Sequence, residues 1–135
     1  MIVDESLLIP APPERVWRAL TDALDRAEWW GYIDLDVTPG GKVEERWSDD
    51  SGHPMLTQGV VTEVEEGRMF RFTWSDTDRP VATAVEITLT AAEAGTVVRV
   101  LEAGWDNLPD GPATAADHRA GWRIHLTNLR RHLSP

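Results

Sequence analysis

Two glutamates and three histidines are the residues of this 135-residue sequence best placed to do chemistry. Glu45 and Glu102 each lie in a run that alternates between two faces, on the face shared with apolar residues. A carboxylate held there can accept a ligand hydroxyl or move a proton. His118, His125 and His132 recur at every seventh position. On one helix, neighbours in that series stand roughly 10 Å apart, too far for one ion to join them, so geometry excludes a shared metal. His118 falls one turn before Trp122 and could meet a ligand or Glu102. A partly exposed flanking position is the plainer reading. His53 falls in a turn and reads as solvated.

Seven tryptophans accompany these groups: Trp17, Trp29, Trp30, Trp47, Trp74, Trp105 and Trp122. Each brings a large apolar face and one N–H that needs a partner when buried. Most should be ordinary core, but the number also suits an aromatic-lined cavity. Other chemistry is missing. With no cysteine there are no disulfides, thiolate metal sites or thiol nucleophiles. Gly40-Gly41-Lys42 lacks the frame and following helix of a phosphate loop, and neither a Gly-x-Ser-x-Gly elbow nor a dinucleotide fingerprint occurs. No metal or cofactor is expected, and no catalytic set can be assigned.

Net charge is −10, which would repel phosphate backbones and acidic membrane surfaces, so neither is an expected partner. No apolar run approaches the roughly 20 residues of a membrane helix, and the first residues do not resemble a signal peptide. A cytoplasmic protein of one domain, residues 1–135, is expected.

The elements that must position these groups follow from periodicity. Residues 2–9 read as a strand. Pro12 and Pro13 stand where a helix can begin. Val16, Trp17, Leu20 and Leu24 then form a helical stripe, and Thr21-Asp22 could cap a second short helix. From Ile33 to Trp105 the period is two. Turns at Pro39-Gly40-Gly41, 49–52, Glu66-Gly67 and Ala94-Gly95 separate the strands 42–47, 56–65, 68–74, 82–90 and 96–105, an antiparallel meander. After a loop at 106–113, Thr114 and Asp117 look like the start of a helix that runs to Leu133, with Trp122, Leu126, Leu129 and Leu133 as its stripe. The class is α+β, with the last helix laid on one face of the sheet.

Alternation separates the two faces of that sheet. Phe70, Phe72 and Trp74 share one parity against Arg71 and Thr73. Val85, Ile87 and Leu89 oppose Glu86, Thr88 and Thr90. Burying an unpaired arginine is costly, so Arg99 should face water, which turns Val98, Val100 and Glu102 inward. The same reasoning sends Lys42, Glu44 and Arg46 outward and leaves Val43, Glu45 and Trp47 inside. Glu45 is expected near a sheet edge, solvated or paired with an arginine. If Glu102 is buried, its pKa should rise. Gly121, inside a helix, costs on the order of 1 kcal/mol relative to alanine. It either makes space for a ligand or a close strand, or packs against a bulky neighbour such as Trp105.

Several strings come in a familiar order: Ala11-Pro-Pro-Glu-Arg-Val-Trp17, Trp29-Trp30, Pro39-Gly-Gly41, Gly59-Val-Val-Thr-Glu63, Phe72-Thr-Trp74, Gly104-Trp105, and Gly121-Trp122 with Leu126 and Leu129. Together they resemble the START-like (SRPBCC) superfamily, in the branch named after the activator of the heat-shock-protein-ninety ATPase. The resemblance spans essentially the whole chain. It implies a helix-grip fold, in which a curved antiparallel sheet wraps a long C-terminal helix, with two short helices after the first strand and a cavity between. By it, Phe70, Phe72, Trp74, Val98, Val100, Glu102, Trp122 and Leu126 would line or adjoin the cavity. Trp47, Val85, Ile87 and His118 join them from the face and stripe assignments.

Three functions fit these features. The first is binding of a small, mostly apolar or aromatic molecule in that cavity. The second is a cyclase- or dehydratase-like enzyme in which Glu102, with or without His118, transfers a proton. The third is a module that binds a protein partner through its surface, as the chaperone activator does.

Overall fold

The computed structural model describes residues 1–77, 79 and 81–135. The chain order is β1 (Ile2–Ile9), α1 (Pro13–Thr21), α2 (Ala23–Ala27), β2 (Ile33–Leu35), β3 (Lys42–Ser48), β4 (Pro54–Glu65), β5 (Met69–Asp76), β6 (Thr83–Ala92), β7 (Gly95–Ala103) and α3 (Gly111–His132). All seven strands form one sheet in the order β1-β7-β6-β5-β4-β3-β2, and every neighbouring pair is antiparallel. The meander expected from β3 to β7 is present. The first strand closes it by pairing with the last, so that Val3 stands opposite Glu102.

The sheet curves around α3, and two local features help it bend. The register of β4 against β5 slips between Val61 and Glu63, a bulge that adds twist and bends the strand. At Gly59 a side chain could not exist, because a Cβ there would stand 1.6 Å from the Thr73 carbonyl oxygen. Glycine is the residue that permits so close a backbone approach.

The face assignments hold. Phe70, Phe72, Trp74, Val85, Ile87, Leu89, Val98, Val100 and Glu102 are all buried. Arg99 lies outside, where its guanidinium donates to both carboxylate oxygens of Asp4 at 2.9 and 2.7 Å.

Strand ends shift by one or two residues and β2 adds a short edge strand, and three further differences have a visible local cause. The stripe of the first helix ends at Leu20, and Leu24 is 84% exposed. The reason is the cap already anticipated at Asp22: its carboxylate accepts the Asp25 N–H at 2.9 Å, which ends α1 and starts α2 in a new direction. The last strand stops at Ala103, because Gly104 takes a left-handed φ of 107° and folds Trp105–Asn107 into a single 3-10 turn. Finally, α3 begins three residues before Thr114, at Gly111, with Pro112 in its opening turn. Thr114 is a buried helical residue and not a cap.

Candidate functional site

Four elements converge on Glu102. Alternation along β7 points its side chain inward with Val98 and Val100, and it is fully buried. Thr83 at the start of β6 donates to Oε2 at 2.5 Å, and Trp74 Nε1 from β5 reaches the same oxygen at 3.0 Å. From α3, Trp122 Nε1 reaches Oε1 at 2.9 Å. One helical turn earlier, His118 Nδ1 lies 3.0 Å from both oxygens. A carboxylate accepts only, so Nδ1 carries the proton.

The direction of the Glu102 pKa corrects the sequence expectation. Burial does push it up, but the hydrogen bonds from His118, Thr83 and Trp122 and the charge of His118 outweigh that, and the group is held below the ordinary carboxylate value. Burial lowers the His118 pKa, whereas the bond to Glu102 and the charges of Glu102, Asp76 and Glu45 raise it, with a net shift upward. Both directions favour the charged forms of the pair, and His118, which stays partly exposed as expected, also meets Glu102.

Two turns further along α3, a second cluster repeats the composition with fewer bonds. Glu45 on β3 is neither solvated nor paired with arginine, contrary to expectation. It is 9% exposed, and its Oε2 accepts the Trp30 N–H at 2.9 Å. His125 stacks on Trp30 with ring centroids 4.2 Å apart and places Nε2 3.5 Å from the same oxygen. The third member of the series, His132, meets Asp25 of α2 at 2.7 Å. The heptad spacing therefore brings each histidine to a carboxylate on a different element. Among the described residues, no group of three or more ligands could hold a metal ion.

Between β3–β5 and α3 lies a cavity of about 220 Å³. Tyr32, Glu45 and Trp47 line one side, Thr57, Trp74 and Asp76 the floor, and Asp117, His118, Gly121, Trp122 and His125 the helix side. Trp47 and Tyr32 stand at the mouth, 36% and 49% exposed. Trp47 donates to the Thr57 hydroxyl at 2.9 Å, and Thr57 donates in turn to Asp76 at 2.5 Å. Gly121 resolves the alternatives left open for it: a Cβ built there meets nothing within 4 Å. It does not pack against Trp105; it borders the open space of the cavity.

Of the twelve residues expected to line the site, Trp47, Trp74, His118 and Trp122 do so, and Glu102 sits sealed behind three of them. Phe70, Phe72, Val85, Ile87, Val98, Val100 and Leu126 do not. They belong to a solid core in which Ile87, Val98, Val100 and Leu126 border a void of only about 10 Å³, room for about one water. Helix α1 and the turn after α2 fill that half of the concave sheet: Trp17 sets its ring edge-on to Phe70, and Trp30 packs edge-on to Trp122. The open space is displaced toward β3–β5. Tyr32, Glu45, Thr57, Asp76, Asp117 and His125 were absent from the expected lining. Only Glu45, by its parity, and His125, by its spacing, carried a signal in the sequence.

Comparison with known proteins agrees with this architecture. A family model described as Activator of Hsp90 ATPase homolog 1-like protein matches residues 10–134. Protein MLL2253 from Mesorhizobium loti is 27% identical, with a TM-score of 0.80 over 98% of this chain and 96% of that one. DynU16, a protein in the dynemicin biosynthetic locus, is also 27% identical, with a TM-score of 0.81 over 98% of this chain and 46% of its own. Ms6760 from Mycobacterium smegmatis, at 19% identity and a TM-score of 0.83 over 98% and 90% of the two chains, shares the fold. Among curated proteins, none matches. No helix among the described residues is long and apolar enough to cross a membrane. The chain belongs to the Activator of Hsp90 ATPase homolog 1-like family and has its START-like, helix-grip fold.

Proposed function

We propose that this member of the family binds a small organic molecule in the cavity between β3–β5 and α3. The observation that carries this reading is the space at Gly121, where a helix that would be more stable with alanine leaves room beside three indole rings. At about 220 Å³ the cavity exceeds the roughly 150 Å³ that accommodates benzene. It falls short of the roughly 300–1,000 Å³ typical of sites for drug-sized ligands. That size favours a molecule of one or two rings over a sterol or a long polyketide. The neighbour DynU16, in a biosynthetic locus, supports a small-molecule setting.

The test is a Gly121→Leu variant assayed by quenching of indole fluorescence with a panel of one- and two-ring compounds. Leucine should fill the space and abolish every quench that the unaltered protein shows, with the melting transition retained. Ligand response that survives the substitution would reject the site.

A second reading, proton transfer to the bound molecule, is favoured by one observation. His118 lines the cavity, its Nδ1 is fixed by Glu102, and no hydrogen bond joins its Nε2 to the described residues. A carboxylate that orients one ring nitrogen and leaves the other open is the arrangement of an acid–base histidine. Glu102, fully buried under four donors, is the positioning group, and His118, held protonated, would be the general acid. With this assignment His118→Gln abolishes turnover of a bound substrate and leaves its affinity within a few-fold. Equal loss of both would reject it.

A further inference from the structure

The cavity reading can be taken further, to the charge of what it holds. The polar atoms that line the space are unequal in kind. Its carboxyl groups are Glu45, Asp76 and Asp117, and no lysine or arginine lines it among the described residues. Arg79 lies on Asp76, with Nε 3.5 Å from Oδ2. His118 is matched by Glu102, with Nδ1 3.0 Å from Oε2. Glu45 has no lysine or arginine paired with it among the described residues, only His125 Nε2 at 3.5 Å from Oε2.

Donors and acceptors are unequal as well. The indole N–H groups of Trp74 and Trp122 are committed to Glu102, that of Trp47 to Thr57, and the Thr57 hydroxyl proton to Asp76. Acceptors remain at the opposite end. Glu45 is about nine-tenths buried, and its Oε1 accepts no hydrogen bond from the described residues, since the Trp30 N–H goes to Oε2. His125 turns Nε2 toward that carboxylate at 3.5 Å, an orientation that favours the N–H on Nε2 and leaves Nδ1 as an acceptor. That Nδ1 is buried and has no partner among the described residues. Buried acceptors without donors are costly and uncommon in folded proteins. His125 Nδ1 is such an acceptor, and it belongs to the same cavity lining as Glu45, whose Oε1 is unoccupied, and the rings of Trp47, Trp74 and Trp122. A group with several N–H donors, a positive charge and an affinity for aromatic faces satisfies all of these at once.

Building on the proposed cavity site, we propose that its ligand is a small organic cation, an aryl or alkyl amine or amidine. Its charged nitrogen lies at Glu45 and His125, and its apolar part lies among Trp47, Trp74 and Trp122. Tyr32 at the mouth and Asp117 on the rim complete a surface that disfavours anions.

Three probes of one skeleton and different charge test this by isothermal titration of the full chain at pH 7.5: phenethylamine, 2-phenylethanol and phenylacetate. The amine should bind at least tenfold more tightly than phenylacetate, with the alcohol between them. Glu45→Gln keeps an acceptor for Trp30 and should weaken the amine about tenfold, the size of one hydrogen bond to a charged group. It should leave 2-phenylethanol within twofold. Asp117→Asn, at an exposed position, reads the same charge preference without touching the core and should weaken the amine by a smaller factor. Phenylacetate binding as tightly as the amine overturns the cation assignment, as does an amine affinity that neither substitution changes. Equal binding of all three leaves the cavity reading standing and removes this one. Binding of none at millimolar concentration removes both.

Discussion

Two clusters of the same composition lie two turns apart on one helix. Each has a glutamate on the inner face of the sheet, a histidine from α3 and a tryptophan that donates its indole N–H to the carboxylate. At Glu102 both oxygens are occupied, four side chains donate, and exposure is nil. At Glu45 one oxygen is occupied, by one indole, and the histidine keeps an unpartnered nitrogen. The difference lies in what surrounds the carboxylate, since the residue types are alike. Trp74, Thr83 and Trp122 enclose the first, whereas the second opens on the space left by Gly121. A saturated buried charge rigidifies the fold around it; an unsaturated one is a site that a ligand can complete.

Substitution at the two glutamates should separate them most widely. Glu102→Ala strips a buried carboxylate from an imidazolium and three further donors, and should cost about 3–5 kcal/mol in urea unfolding. Glu45→Ala leaves chiefly the Trp30 N–H unsatisfied and should cost about 1–2 kcal/mol. Equal losses would break the comparison.

Dependence on pH sharpens it further. Glu102 titrates below its ordinary value of about 4.5, so its contribution is complete above that pH and is lost as pH falls through the lower folded value. His118 titrates above about 6.5; its contribution is complete below that pH and is lost as pH rises through the higher folded value. The stability difference between the unaltered protein and His118→Gln should therefore be largest between about pH 4.5 and 6.5 and shrink on the alkaline side. A difference that stays constant to pH 9 would show that His118 is not held as an imidazolium by this cluster.

The smallest effect has the opposite sign. Gly121→Ala should raise stability by about 0.5–1 kcal/mol, since the added methyl meets nothing and the helix gains propensity. The melting temperature should rise by about 2–4 °C. A destabilised variant would mean that the space is not free.

Much of this was legible from the residues, and what was not has a physical reason. Arg99 turned outward and Glu102 inward because alternation fixes parity and an unpaired guanidinium cannot be buried cheaply. The same rule placed Val85, Ile87, Val98 and Val100 on the inner face, correctly, but could not tell which part of that face another layer would cover. That depends on α1 and the turn after α2, whose Trp17 and Trp30 fill the space over the sheet. Glu45 was misjudged because its partners come from residues 15 and 80 positions away, Trp30 and His125. The direction of the Glu102 pKa was missed for a related cause. Burial can be read from one strand, whereas the donors that overcome it arrive from β5, β6 and α3. The cap at Asp22 was legible, yet its effect on Leu24 was not, since a cap that starts a new helix also rotates its faces.

The pairing of β1 with β7 has a consequence for how the chain comes to exist. Val3 must find Glu102, and Ile9 must find Thr96, with five strands between them in the chain. At ribosomal speeds of roughly 5–20 residues per second, the first strand waits on the order of 5–20 s before its partner has been made. Until then Val3 and Ile9, which end wholly buried, have no sheet to join. Pairings this distant are slow to form even in the finished chain. The earlier strand of this pair is therefore among the last to be secured.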